Sequence, residues 1–392
     1  MKRKNKTSVF AQIAGTGVLK RRYKMKFNWK KCLAGILCIV GFLLILVKVN
    51  QFEKATLVST TGQSYEKAVV TEITKDNLAE DGNRYGTQEV RVYIKTGTFA
   101  GEEYDAVNPS GSLFGADCEV GSKVIVIVSE SGDNSIVTVY SQDRTGAIYL
   151  FAAFFALVVC LIGGKKGVKA IASLVFTFVC IYYLMFPLIY QGASPILITI
   201  VIAFLSTLVT LGLLGGMTAK TASAIIGTTA GVVIAAVAAL LFGKAAGITG
   251  YNVSDIETLN YVAQNSQIRI GQLLFSGIII ASLGATMDVG MSIASTIQEI
   301  HERNPLLGTK ELFLSGIRVG RDMMGTMTNT LIFAYVGGSL STLVINYAYD
   351  LSYRQLMNSY IIGTEIMQGL SGSLGVVLTV PVTAVIASVL VA

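Results

Sequence analysis

Seven apolar stretches crowd residues 147–392, at about Ala147–Ile162, Val168–Ile189, Pro195–Leu214, Ala222–Phe242, Ile270–Val289, Met323–Tyr347 and Ile361–Leu390. An eighth, Leu33–Val47, follows Trp29 near the start of the chain. Against a hydrocarbon core of about 30 Å, each reads as a membrane span. Composition agrees, with 52% of the residues hydrophobic and only 14% charged, where a soluble domain carries roughly a quarter charged. An ordinary soluble enzyme, a disordered chain and a nucleic-acid binder are excluded together. The expected fold class is an α-helical polytopic membrane protein of about eight spans.

The net charge of +7 hides a division along the chain. Residues 1–31 hold 11 Lys/Arg and no acid, whereas residues 50–146 hold 8 Lys/Arg against 15 Asp/Glu. A basic arm abutting an apolar run is a topogenic signal facing anionic lipid on the cytoplasmic side. No aromatic base-stacking platform accompanies it. Lys48-Val49-Asn50-Gln51-Phe52 offers no small-residue cleavage site after the run, so 32–49 is expected to be an uncleaved anchor. With the N-terminus inside, Lys165, Lys166, Lys169, Lys220, Arg303, Lys310, Arg318 and Arg321 all fall inside, and only Lys244, Arg269 and Arg354 fall outside. That asymmetry predicts both termini in the cytoplasm and residues 50–146 outside it. The expected organisation is a cytoplasmic arm (1–31), a signal anchor (32–49), an extracytoplasmic module (50–146) and a seven-span membrane domain (147–392).

The outer module reads as β. Val69-Val70-Thr71, Glu89 to Ile94, Lys123 to Val128 and Ser135 to Tyr140 are rich in β-branched residues and separated by Asp/Asn/Gly/Pro turn signals. About five short strands in this length predict a small OB-like barrel. Ser254-Asp255-Ile256-Glu257 has capping-box spacing and predicts a helix leading toward the sixth span. Thr309 to Leu314 is half apolar and is expected to lie along the inner interface. The five cysteines form no disulfide framework or metal-spaced pair, and His301 is the only histidine. Cys118 stands alone in the acidic segment, where an impermeant thiol reagent is expected to report its side of the membrane.

Spans two to five are nearly free of charge and rich in glycine and alanine, which predicts close helix packing. The last three spans differ. Asp288, Ser292, Ser295 and Glu299 share one helical face, and Arg318, Asp322, Gly325 and Asn329 share another, with Arg321 and Thr328 alongside. Glu365 and Gln368 open the eighth span. A carboxylate within a span costs about 2.5–3.5 kcal/mol on insertion scales, so it faces a bundle interior or a watery path. The polar-centre candidates are therefore Asp288, Ser292, Arg318, Arg321, Asp322, Asn329, Glu365 and Gln368. Plainer readings stand beside this one. Asp322 pairs with Arg318 or Arg321 at a helix start, Asp288 locks helices by hydrogen bonding, and Glu365 is interfacial. Gly369 to Gly375 breaks the last span into a discontinuous helix, or else 361–390 is one packed helix kinked at Pro381.

Gly369-Leu370-Ser371-Gly372 matches the G-x-S-G of rhomboid proteases, yet no histidine follows His301 to serve as its base. No G-x-x-x-x-G-K-[ST] phosphate loop occurs. No enzyme activity and no cofactor are expected.

Met287 to Ala294, Gly316 to Met327, and Glu365-Ile366 followed by Gly372 to Pro381 resemble the YibE/YibF membrane proteins in order and spacing. Thr96-Gly97 to Asn108-Pro109 and Asp143-Arg144 resemble the longer YibE-type member. The resemblance implies a bacterial multi-pass membrane protein of the plasma membrane, with a YibF-like membrane partner or a homo-oligomer. It supplies no substrate. The residues themselves point to a transporter or channel-like permease for an ion or small solute. The alternative is a non-catalytic scaffold or sensor whose outer β module binds a partner.

Overall fold

The computed structural model describes residues 29–80, 82, 86–109, 116–131, 134–251, 253 and 255–392. The basic arm lies outside the described residues apart from its last three positions. The first described element, α1 (Trp29–Val49), is a 21-residue helix over the stretch expected to be an anchor. It belongs to a unit, residues 1–51, separate from the remainder.

Five strands follow: β1 (Gln63–Lys75), β2 (Gln88–Ile94), β3 (Glu103–Asn108), β4 (Lys123–Ser131) and β5 (Asn134–Gln142). They close into a barrel in the order β1-β2-β3-β5-β4, antiparallel except where β3 meets β5. The long β1 pairs with β2 on one side and β4 on the other, bending through two register shifts against β2. Such bulges supply the curvature that closure requires. Alternation fills the interior with Val90, Val92, Ile94, Val124, Val126 and Val128. One polar cluster is buried among them. Asn108 Nδ2 donates to the Ala116 carbonyl at 2.6 Å and to Gln88 Oε1 at 3.3 Å, and Gln88 Nε2 donates to the Cys118 carbonyl at 3.0 Å.

The helices are α2 (Thr145–Cys180), a π turn (Ile181–Met185), α3 (Phe186–Tyr190), α4 (Pro195–Gly215), α5 (Ala219–Ala246), α6 (Ile256–Gln264), α7 (Leu273–Arg303), α8 (Thr309–Gly338), α9 (Leu340–Ala348), α10 (Tyr353–Met357) and α11 (Tyr360–Val391). Among the described residues, five helical stretches are long and apolar enough to cross a membrane, or six if the bent pair α8–α9 counts as one. The expected second and third spans share the 46-residue stretch Thr145–Tyr190. Gly164 interrupts it with φ 53°, ψ −131°, and at Gly167 a Cβ would strike the Val159 carbonyl. The π turn comes just before Pro187, whose missing N–H cannot continue an α ladder.

Thr309–Leu314, expected along the inner interface, forms the start of α8, which runs unbroken from Thr309, with Leu312, Gly316 and Gly320 buried. Gly316 meets Ile297 and Ala384, and Gly320 meets Ile293 and Val380, so this turn packs on protein. The seventh span is not straight through Met323–Tyr347, because the chain bends by 62° between Gly338 and Leu340. The expected helix through Ile256, Leu259 and Val262 is present as Ile256–Gln264 and leads toward α7; no side chain caps its start at Asp255, and Ser254 lies outside the described residues.

The last span is one helix through Gly369–Gly375 and Pro381. Its glycines are buried against neighbours: Gly372 against Leu331 of α8, Gly375 against Gly231 and Ala235 of α5. α11 thus forms the centre of the bundle, with α5, α7 and α8 around it.

Candidate functional site at the bend of the seventh span

The site begins with three small residues. Gly337-Gly338-Ser339 ends α8, and α9 leaves at 62°, so the outgoing chain departs from α11 instead of continuing along it. α11 is held at its start by Tyr360, whose hydroxyl accepts the Gly250 N–H at 2.9 Å. Nearby, Ile248 packs with Phe275, Ile278 and Met367. A wedge opens between the diverging helices.

Two cavities occupy the wedge. One, of 260 Å³, is lined by Ile332, Tyr335, Val336, Leu343, Ile366 and Leu370, and its walls are apolar. The other, of 320 Å³, adds Leu274, Thr342, Thr364 and Gln368 and is polar over about half its lining. Ser339 and Glu365 line both. Glu365 is half-buried, and no described residue gives it a hydrogen bond or an ion pair. Two further polar atoms at this place are buried without a partner, the Tyr335 hydroxyl and Thr364 Oγ1. Buried polar atoms are normally paired, so the Tyr335 hydroxyl and Thr364 Oγ1, beside the half-buried Glu365, make this wedge a candidate to receive a polar ligand. Neither the cavity between α2, α4 and α7, with Thr177, Ser206 and Gly284, nor the open one at Phe52 and Tyr190 carries a charged side chain.

Of the eight polar-centre candidates, Glu365 and Gln368 meet in the mixed cavity. The other six line neither cavity in the wedge. Asp288 is exposed on α7 and Ser292 is half-buried, its carbonyl accepting the Thr296 hydroxyl at 2.9 Å. Glu299 on the same face is taken by Arg303 at 2.8 Å. Arg318, Arg321, Asp322 and Asn329 are exposed on α8, and no ion pair joins Asp322 to either arginine. Among the described residues no group of three or more His, Cys, Asp or Glu could hold a metal ion. Tyr335, Ser339, Thr342 and Thr364 escaped the sequence reading. The Gly337-Gly338-Ser339 triplet was the signal for the bend that brings them together.

The family of YibE/F-like proteins matches residues 151–392, a stretch that contains every membrane helix from α4 to α11 and leaves the barrel outside. No curated relative matches the chain, and no solved structure does. The match covers more than half of the sequence, including the bent span, the glycine-lined α11 and Glu365, and the chain therefore belongs to the YibE/F-like family.

Proposed function

We propose that this chain is a multi-pass permease of the bacterial plasma membrane, for a cation or small solute, with Glu365 as its ion- or proton-responsive carboxylate. The observation that carries the reading is that Glu365, unpaired among the described residues, lines both cavities at a helix bend. A carboxylate without a protein partner at membrane depth is answered by water, a proton or a bound cation. Gln368, one turn along α11, adds a neutral ligand on the same wall. The bend supplies the movable part, since Gly337 and Gly338 have nothing within 4 Å of where a Cβ would sit.

The reading takes eight spans. α1 supplies one, the stretch Thr145–Tyr190 two divided at Gly164, the α8–α9 pair one, and four come from α4, α5, Ile270–Arg303 and α11. The distribution of Lys and Arg supports both termini inside and the barrel outside, which sets the Glu365 wedge in the outer half of the membrane.

Proteoliposomes carrying the full chain test this with proton and potassium gradients read by internal dyes. The expected result is flux above that of empty liposomes, reduced at least tenfold by Glu365→Gln. Equal flux from wild type and variant removes the role of Glu365 and favours a non-catalytic scaffold built on the barrel.

A further inference from the structure

The two cavities of the wedge differ in character along its depth. The polar one lies at the helix ends, beside Leu274 at the start of α7, Gly338 at the end of α8, and Ile361 and Thr364 at the start of α11. The apolar one lies further from those ends, between Ile332 and Tyr335 of α8 and Ile366 and Leu370 of α11. Glu365 and Ser339 stand at the junction.

A bare ion would use only half of this space. A buried water needs about two to four polar partners, and the deeper cavity offers Glu365 and Ser339 at one end against an apolar wall everywhere else. An apolar cavity of about 150 Å³ stays dry and binds benzene. This one measures 260 Å³, room for a ring or a short chain.

Charge decides what stands at the junction. Among the described residues, neither lining contains a lysine, arginine or histidine, and Glu365 is the one carboxylate in both. A fatty acid or a phospholipid would set its anionic head against that carboxylate. A neutral acyl chain would fill the deeper cavity and leave Glu365 and Gln368 unanswered. An ammonium group carries up to three donors and no acceptor. The Glu365 carboxylate, the Ser339 hydroxyl and the Gln368 amide oxygen are acceptors to match it.

We propose that the wedge binds an amphiphilic organic cation, with its ammonium head at Glu365 and its apolar body between Ile332 and Leu370. The proposal rests on the reading of Glu365 as the responsive carboxylate and names the chemical class which that carboxylate receives. The order of the two cavities is that of an amphiphile in a bilayer, with the polar part at the helix ends and the apolar part deeper.

Isothermal titration of the full chain in lipid nanodiscs tests it, with phenethylammonium as the probe and empty nanodiscs as background. Saturable binding at pH 7 is expected, at least tenfold tighter than for methylammonium, which lacks the ring, and for phenethyl alcohol, which lacks the charge. Glu365→Gln should weaken phenethylammonium at least tenfold. Leu343→Trp fills the deeper cavity and leaves the carboxylate in place, so it should weaken phenethylammonium as much while methylammonium binds as before. This second variant guards against a first that fails to fold. Methylammonium or phenethyl alcohol binding as tightly as phenethylammonium overturns the proposal, as does wild-type affinity in both variants. Heat is read without transport, so the two readings separate. Binding as expected beside Glu365→Gln flux equal to wild type keeps the amphiphile site and removes the permease. Glu365-dependent flux without phenethylammonium binding keeps the permease and overturns the amphiphile.

Discussion

Gly231 of α5 and Gly375 of α11 cross backbone to backbone. A Cβ on Gly375 would lie 2.7 Å from the Gly231 carbonyl oxygen, and one on Gly231 would lie 2.9 Å from that of Gly375. Each glycine is required by the other helix's main chain, which has no side-chain freedom to yield. Thr379 completes the notch, its hydroxyl donating to the Gly375 carbonyl at 2.7 Å while it lies over Gly231. Gly231→Ala and Gly375→Ala are each expected to destabilise the bundle by about 1–3 kcal/mol, the usual cost of overpacking. Gly277→Ala, with nothing within 4 Å of its added methyl, should leave stability unchanged or slightly raised. Thermal unfolding of the three variants in one detergent checks this, and similar losses in all three would deny the crossing its role.

The Tyr335 hydroxyl separates folding from function in a second way. It is buried without a partner in the wedge that holds Glu365. A hydroxyl kept only for packing costs stability, because its desolvation is not repaid. Tyr335→Phe should therefore melt at the wild-type temperature or higher. If the hydroxyl serves whatever Glu365 receives, proteoliposome flux falls severalfold in the same variant. Unchanged flux, with the melting temperature at or above that of the wild type, would leave the hydroxyl without a role in the wedge.

What the sequence could show followed from periodicity, and what it hid followed from long-range contact. Val124, Val126 and Val128 alternate cleanly, and the barrel strand they form is readable from them alone. β3 escaped because Glu103-Tyr104-Asp105-Ala106-Val107-Asn108 buries only Ala106 and Asn108, too little to leave a pattern. The packing of Thr309–Leu314 was hidden because a half-apolar helix looks the same against a lipid surface as against α7 and α11. Gly369 to Gly375 left a break and a packed helix equally open until Gly231, on a helix far away in sequence, supplied the reason for small residues. Glu365 was visible as an acid near a span. Its neighbours Tyr335 and Thr364 became visible only once the bend at Ser339 had brought them to one wedge.

Asp143 joins the barrel to α2 and carries a pH dependence. Its Oδ1 accepts the Thr145 N–H at 3.1 Å and its Oδ2 lies 3.1 Å from Lys67 Nζ. Hydrogen bonding from Thr145 first, then Lys67, holds this carboxyl below the ordinary aspartate range. A depressed folded value means the stabilisation is complete above the unfolded value of about 3.9 and is lost as the pH falls through the lower folded one. Asp143→Asn is thus expected to speed amide exchange at Thr145–Ile148 relative to wild type at pH 7. The difference should close as the pH drops below about 4. An equal difference at pH 7 and pH 3 would show that the charge contributes nothing there.

The side of the membrane on which the barrel lies is open to a direct chemical test, though not through Cys118 as the sequence suggested. Cys118 is fully buried in the barrel, with Asn108 Nδ2 3.6 Å from its sulfur. A bulky charged reagent that needs the thiolate therefore cannot reach it in the folded state. Val120, two residues on, is 67% exposed at the turn before β4. Val120→Cys removes little packing, so the barrel should fold unchanged. With the barrel outside, an impermeant maleimide is expected to label this variant in intact cells while the wild type stays unlabelled until it is denatured. Labelling of Val120→Cys only after the cells are opened would place the barrel in the cytoplasm. It would also reverse every span, moving the Glu365 wedge to the inner half of the membrane and setting Lys165, Lys166 and Lys169 outside, against the charge asymmetry that orients membrane proteins.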